Sequence, residues 1–169
     1  MKPPPFRKAR DFSTILPMSQ AEKFLKSIPL FEKCADQDLQ RLALGLRWST
    51  HRKGETLIFQ GVITHQMFFI SSGRAAVFSR KDRETCRVAD LEAGDYFGEI
   101  SLLTNKAATA TIKADADDTQ IYILDRDVII EALSRNAEAM ADITRKIRER
   151  NQGRMDAFEP NEEPAGATV

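Results

Sequence analysis

Apolar positions along this chain change their spacing twice, and the changes mark out three stretches. Up to Leu46 the spacing is helical. Ser19-Gln20-Ala21-Glu22 has the separation of a capping box and predicts a short helix that stops near Ser27, because Pro29 disfavours helical backbone in the residue before it. Asp36 follows as a candidate N-cap, and Leu39, Leu42, Ala43 and Leu46 fall on one face at i, i+3, i+4 and i+7, which predicts a second helix. The pattern then shortens into β-like runs at 48–52, 56–59, 66–71, 74–79, 85–91, 109–114 and 119–124. Lys53-Gly54, Gly61, Ser72-Gly73, Lys81-Asp82 and Ala93-Gly94 punctuate them. After Asp125 helical spacing returns, with Val128, Ile129 and Leu133 on one element and Met140, Ile143 and Ile147 on another, which Asn136 is placed to cap.

Seven or eight short strands without helical stretches between them predict a sandwich or jelly-roll barrel and argue against a parallel α/β sheet. The expected fold class is α+β, mainly β: an eight-stranded jelly-roll-like β-roll flanked by N-terminal helices and two C-terminal helices. Residues 1–18 carry four prolines and no apolar period, which predicts a flexible arm. Residues 19–152 then form one domain, with helices over 19–47, the β-roll over 48–125 and the C-terminal helices over 126–152. The polar, proline-containing stretch 153–169 predicts a disordered tail.

A length of 169 residues allows one domain with a proper core, and 42% hydrophobic with 30% charged residues is ordinary for a globular protein. Lys and Arg balance Asp and Glu at 25 each, so the formal net charge is zero and the broad attraction that a nucleic acid or an anionic membrane needs is missing. No nucleic-acid partner and no direct membrane insertion are expected. No apolar run is long enough to span a bilayer, and Met1-Lys2-Pro3-Pro4-Pro5 lacks the apolar stretch of a secretory signal. A cytoplasmic chain is expected, or one held at a membrane through a parent channel or partner. Cys34 and Cys86 read as reduced thiols.

The candidate chemistry lies at Gly94-Asp95-Tyr96-Phe97-Gly98-Glu99-Ile100-Ser101-Leu102-Leu103, followed by Thr109-Ala110-Thr111-Ile112. Gly98 lets backbone approach a ligand with no Cβ in the way, and residues 100–105 are placed to form a helical turn whose free amides favour an anion. Glu99 stands where it can accept hydrogen bonds from a ribose hydroxyl. Phe68, Phe69, Phe78 and Phe97, at strand spacing, read as core rather than as base-stacking platforms.

This run resembles the phosphate-binding cassette of cyclic-nucleotide-binding domains, of the channel and kinase-regulatory-subunit type: Phe-Gly-Glu, an aliphatic, a small residue, two aliphatics, a short spacer, Arg, a small residue, Ala. Where the family places the arginine that pairs with the cyclic phosphate, this chain has Ala108, preceded by Lys106 and Ala107. Ile28-Pro29-Leu30-Phe31, Gly54-Glu55-Thr56-Leu57-Ile58 with Gly61, and the run from Gln66 to Gly73 are similar to other family segments in the right order. The resemblance implies that Gly98, Glu99, Ile100, Ser101, Ala108, Thr109 and Ala110 form the ligand site. Glu99 takes the ribose 2′-hydroxyl, and the Ser101 and Thr109 amides face the phosphate. It also implies a lid from the last helix carrying Ile143, Ile147 and Arg150, although the Met140, Ile143 and Ile147 stripe equally suits a helix docked permanently on the roll. An arginine fork is worth about 1.5–3 kcal/mol, or ~10- to 150-fold in affinity, so cAMP or cGMP is expected to bind weakly. Lys106, two residues early, is a flexible point charge that restores only part of this.

Three readings of the pocket stand: a weak cyclic-nucleotide site, a site for an uncharged nucleoside, or an empty pocket in an interaction scaffold. The implied function is a non-enzymatic sensor that signals through its C-terminal helices to an effector protein or channel, in cis or in trans. Its small-molecule partner is a purine nucleotide or nucleoside, with no cofactor. The chain is then either a fragment of a channel or regulatory subunit or a small protein acting on a partner. Metal-dependent enzymes share the β-roll, but His51 and His65 lie on different segments, and no nucleophile with a base and orienting group is evident in the sequence.

Overall fold

The structure, a computed structural model, describes residues 17–81 and 84–156; the side chains of Arg150, Asn151 and residues 153–156 are not among those described. The expected arm over 1–18 and tail over 153–169 therefore lie largely outside it. Two helices come first, α1 (Met18–Ser27) and α2 (Asp36–Gly45), joined through a 3-10 turn at Pro29–Phe31. Both start differently from their capping signals. Pro17 and Ala35 occupy the N-cap positions and no side chain caps either helix, so Ser19 sits inside the first turn of α1 and Asp36 opens α2. An acid in the first turn still complements the helix dipole, which is the part of the Asp36 signal that survives.

Eight strands follow: β1 (Arg47–His51), β2 (Thr56–Ile58), β3 (Gln66–Ser72), β4 (Arg74–Lys81), β5 (Glu84–Glu92), β6 (Tyr96–Phe97), β7 (Thr111–Ala114) and β8 (Thr119–Asp125). The short helix α3 (Glu99–Thr104) interrupts them, and α4 (Arg126–Ser134) and α5 (Ala137–Asp156) close the described chain. The strands form two antiparallel four-stranded sheets, in the orders β1-β8-β3-β6 and β2-β7-β4-β5. This is the expected mainly β roll with flanking helices. The strand absent from the sequence reading is β6, whose two residues pair with Phe68 and Phe69 but are too few to show a period.

Alternation along β3 divides the core. Met67 and Phe69 face a helical layer with Leu25, Phe31, Leu42, Leu124 and Leu133, whereas Phe68 and Ile70 face the roll interior with Phe97, Ile112 and Ile121. Phe69 and Phe97 are fully buried; Phe68 stacks on Phe97 at 5.1 Å between ring centroids but is only partly buried, as is Phe78. The Ile143 side chain is 0% exposed in the helical layer, with Met140 and Ile147 packed against it, so α5 is docked on the core. Asn136 caps α5 as expected, its Oδ1 accepting from the Ala139 amide at 3.0 Å.

Candidate ligand cavity in the roll

The chain reverses sharply between β6 and α3, and Gly98 makes this possible. Its φ is +91°, and a Cβ built there would stand 2.7 Å from the Gln66 carbonyl oxygen, so both conformation and space exclude a side chain. The reversal places Glu99 as the first residue of α3, 2% exposed and engaged in interactions within the protein. Ser101 lies one half-turn on and is 1% exposed. Asn105, at φ +53°, ends the helix. The first amides of α3 have no acceptor within the helix, as in any helix start.

Ala108 is held by main chain on both sides. Its carbonyl accepts from the Gly61 amide at 2.7 Å, and its own amide donates to the Val62 carbonyl at 2.8 Å. The loop between β2 and β3 thereby holds Ala108, which lines a cavity of about 330 Å³, a size within the range of small-molecule sites. Gly98, Glu99, Ile100, Ser101, Ala108, Thr109 and Ala110 all line it, so the structure brings the seven sequence-selected positions around one space. The floor is apolar, formed by Ile58, Leu91, Phe97 and Ile112 with Val77 and Val88.

The lid positions fall elsewhere. Neither Ile143 nor Ile147 lines the cavity, because the stripe they share faces the helical core; the side chain of Arg150 lies outside the described residues. Instead α5 contributes Glu149, which is 65% exposed at the rim and 3.8 Å from Arg145 Nε. The run from Arg145 to Arg150 mixes both charges with no period, so nothing in the sequence singled Glu149 out. Lys146 reaches the face of Tyr96, 4.4 Å from the ring centroid, and so pins α5 beside the cassette. Lys106 is exposed and absent from the lining, so the partial substitute for the missing arginine is not in place here. Two carboxylates line the cavity and, among the described residues, no lysine or arginine does.

A second polar arrangement lies outside the cavity. Ser49 Oγ is 2.8 Å from His51 Nε2, and His51 Nδ1 is 3.2 Å from Glu55 Oε2. The order hydroxyl, imidazole, carboxylate is that of a nucleophilic triad, which the sequence reading did not find because the three residues span a strand and its turn. Ser49 is 1% exposed and, unlike Ser101, is not among the residues that line the cavity, so its hydroxyl is not presented to a substrate there. Burial lowers the His51 pKa below its ordinary 6.5, with the Glu55 carboxylate opposing the shift. Among the described residues, no group of three His, Cys, Asp or Glu side chains is arranged to hold a metal ion, and no helix is long and apolar enough to cross a membrane.

Comparison with known proteins agrees with this geometry. The chain is 34% identical over 105 residues to a cAMP-dependent protein kinase regulatory subunit of Mycosarcoma maydis, covering 61% of this chain and 20% of that one. It is also 34% identical over 111 residues to the human potassium/sodium hyperpolarization-activated cyclic nucleotide-gated channel 4, covering 66% of this chain and 9% of that one. It thus spans a fifth or less of the length of these relatives. Among solved structures, the regulatory subunit of a cAMP-independent protein kinase A from Trypanosoma cruzi, bound to guanosine, shares the fold with a TM-score of 0.69 at 22% identity, over 76% of this chain and 45% of that one. With its residues 49–136 matching the family described as cyclic nucleotide-binding domain, on a roll that carries the family's cassette around an open cavity, the chain belongs to that family.

Proposed function

We propose that the chain is a ligand-sensing regulatory module, a binder and not a catalyst, whose cavity takes a purine nucleoside unit by its ribose and gains little from a cyclic phosphate. The observation that carries this is the charge of the lining: Glu99 and Glu149 with no cation among the described residues, and Ala108 where the family motif has arginine. A buried carboxylate accepts hydrogen bonds from sugar hydroxyls, whereas a phosphate brings a further negative charge to a site that offers it amides and hydroxyls but no cationic side chain among the described residues. The relatives named for cAMP and for cyclic nucleotides support the purine ribose, and the guanosine-bound regulatory subunit supports an uncharged one. Residues 19–152 constitute the sensing unit. Its signal passes through α5, which touches the cavity at Glu149 and the core at Ile143. A ligand that prefers the docked position of α5 shifts the population toward it and changes what an effector, in the same chain or another, meets.

Calorimetric titration with cAMP, cGMP, adenosine, guanosine and inosine tests the reading. A nucleoside is expected to bind at least as tightly as either cyclic nucleotide. Ala108→Arg is expected to strengthen cyclic-nucleotide binding by about 10- to 150-fold while leaving nucleosides little changed. Sub-micromolar cAMP binding by the unaltered chain overturns the proposal, and no binding by any of the five assigns the fold to an interaction scaffold.

A further inference from the structure

Four hydroxyl groups on the described helices of this protein pair locally. Ser27 donates to Phe24, Thr104 to Ile100, Ser134 to Glu131 and Thr144 to Met140, each to a carbonyl three or four residues back. Ser101 does not. It is 1% exposed, and its Oγ is the buried side-chain polar atom without a hydrogen-bond partner among the described residues. Such atoms are rare because a buried hydroxyl that pairs with nothing has lost its water without compensation. Ser101 also lines the cavity, two positions after Glu99 on α3, in a lining that includes the apolar position 108.

We propose that Ser101 is a ligand-contacting residue whose hydroxyl pairs with a ribose hydroxyl of an uncharged purine nucleoside, at the end of the sugar that a cyclic phosphate would bridge. This rests on the reading of the cavity as a purine-ribose site. The chemistry follows from what the lining lacks. Glu99 and Glu149 are acceptors, and a cyclic phosphate presents only acceptors on that side of the sugar. Free 3′- and 5′-hydroxyls each donate one hydrogen bond and accept others, so one nucleoside can donate to Glu99 and complete the pairing of Ser101. An arginine at position 108 would bring a countercharge for an anion there; a serine hydroxyl brings none, but it can both donate to and accept from a neutral hydroxyl.

The test separates a ligand contact from a structural role. Ser101→Ala removes a group that nothing inside the protein satisfies, so the variant is expected to melt at the same temperature as the parent or higher. In calorimetry with adenosine and guanosine it is expected to bind about 2- to 13-fold more weakly. The parent chain is expected to distinguish the nucleoside from its 3′-deoxy or 5′-deoxy analogue, and the variant to lose that distinction for one of the two. Nucleoside binding that is unchanged in Ser101→Ala overturns the inference and leaves the purine-ribose reading intact. A lowered melting temperature with unchanged affinity also overturns it, by giving the hydroxyl an internal role. If the parent chain binds neither nucleosides nor cyclic nucleotides, the reading of the cavity falls and the inference falls with it.

Discussion

Gly98 shapes the cavity by lacking a side chain, because it combines a left-handed backbone with a neighbour 2.7 Å from any added Cβ. That neighbour is main chain on β3 and cannot swing aside. Gly98→Ala is expected to cost about 1–3 kcal/mol in urea denaturation and to displace Glu99 from the cavity, so that stability and ligand binding fall together. His51 makes a different kind of prediction. Its folded pKa lies below the ordinary 6.5 through burial, so its contribution to stability is fully present above that value and is lost as pH falls through the folded value. Melting temperatures from neutral to mildly acidic buffer are expected to fall less steeply for His51→Gln than for the parent, and NMR titration is expected to place the imidazole below its unfolded value. What the sequence showed of single residues was uneven for a physical reason. Glu99 and Gly98 stand inside a motif whose spacing marks them, whereas Glu149 reaches the cavity only because α5 docks there, and that docking is decided by contacts far away in sequence.

Helices and strands carry the next set of constraints. The α2 face formed by Leu39, Leu42, Ala43 and Leu46 is buried throughout, and β3 alternates between two cores, so hydrophobic periodicity reported these elements faithfully. It failed for β6, with two residues; β4, expected over 74–79, is found there, although a register shift at Val77 and Phe78 breaks its pairing with β5. Between elements, Arg135 Nη1 lies 2.6 Å from Asp38 Oδ1 and its Nη2 lies 2.9 Å from Glu131, joining α2 to the turn between α4 and α5. The Asp38 side chain is 10% exposed, and the pair is half open to solvent on the arginine side. Arg135→Gln is expected to lower stability, because Asp38 then keeps its burial without its partner, with ligand affinity unchanged because the pair lies outside the cavity lining. A thermal melt and one titration check both halves of that statement.

Across the molecule as a whole, two cores meet along β3, and α5 belongs to the helical one. Ile143→Ala is accordingly expected to behave as a core deletion, costing about 2–5 kcal/mol in denaturant unfolding, and not as the loss of a lid residue that changes affinity alone. A ligand that binds the folded chain at a hundred times its Kd is expected to raise stability by about 2.7 kcal/mol, which a melting series with guanosine reads directly. The family and the roll were legible because its segments recur in order along the chain; how α5 sits was not, since its apolar stripe suits a lid and a docked helix equally. The backbone seat of Ala108, anchored through Gly61 and Val62, holds its shape whatever side chain it carries. If the proposed nucleoside reading holds, choosing between salts of nucleotides and plain nucleosides becomes a matter of one plug-in group at position 108, exchangeable without rebuilding the wall that holds it.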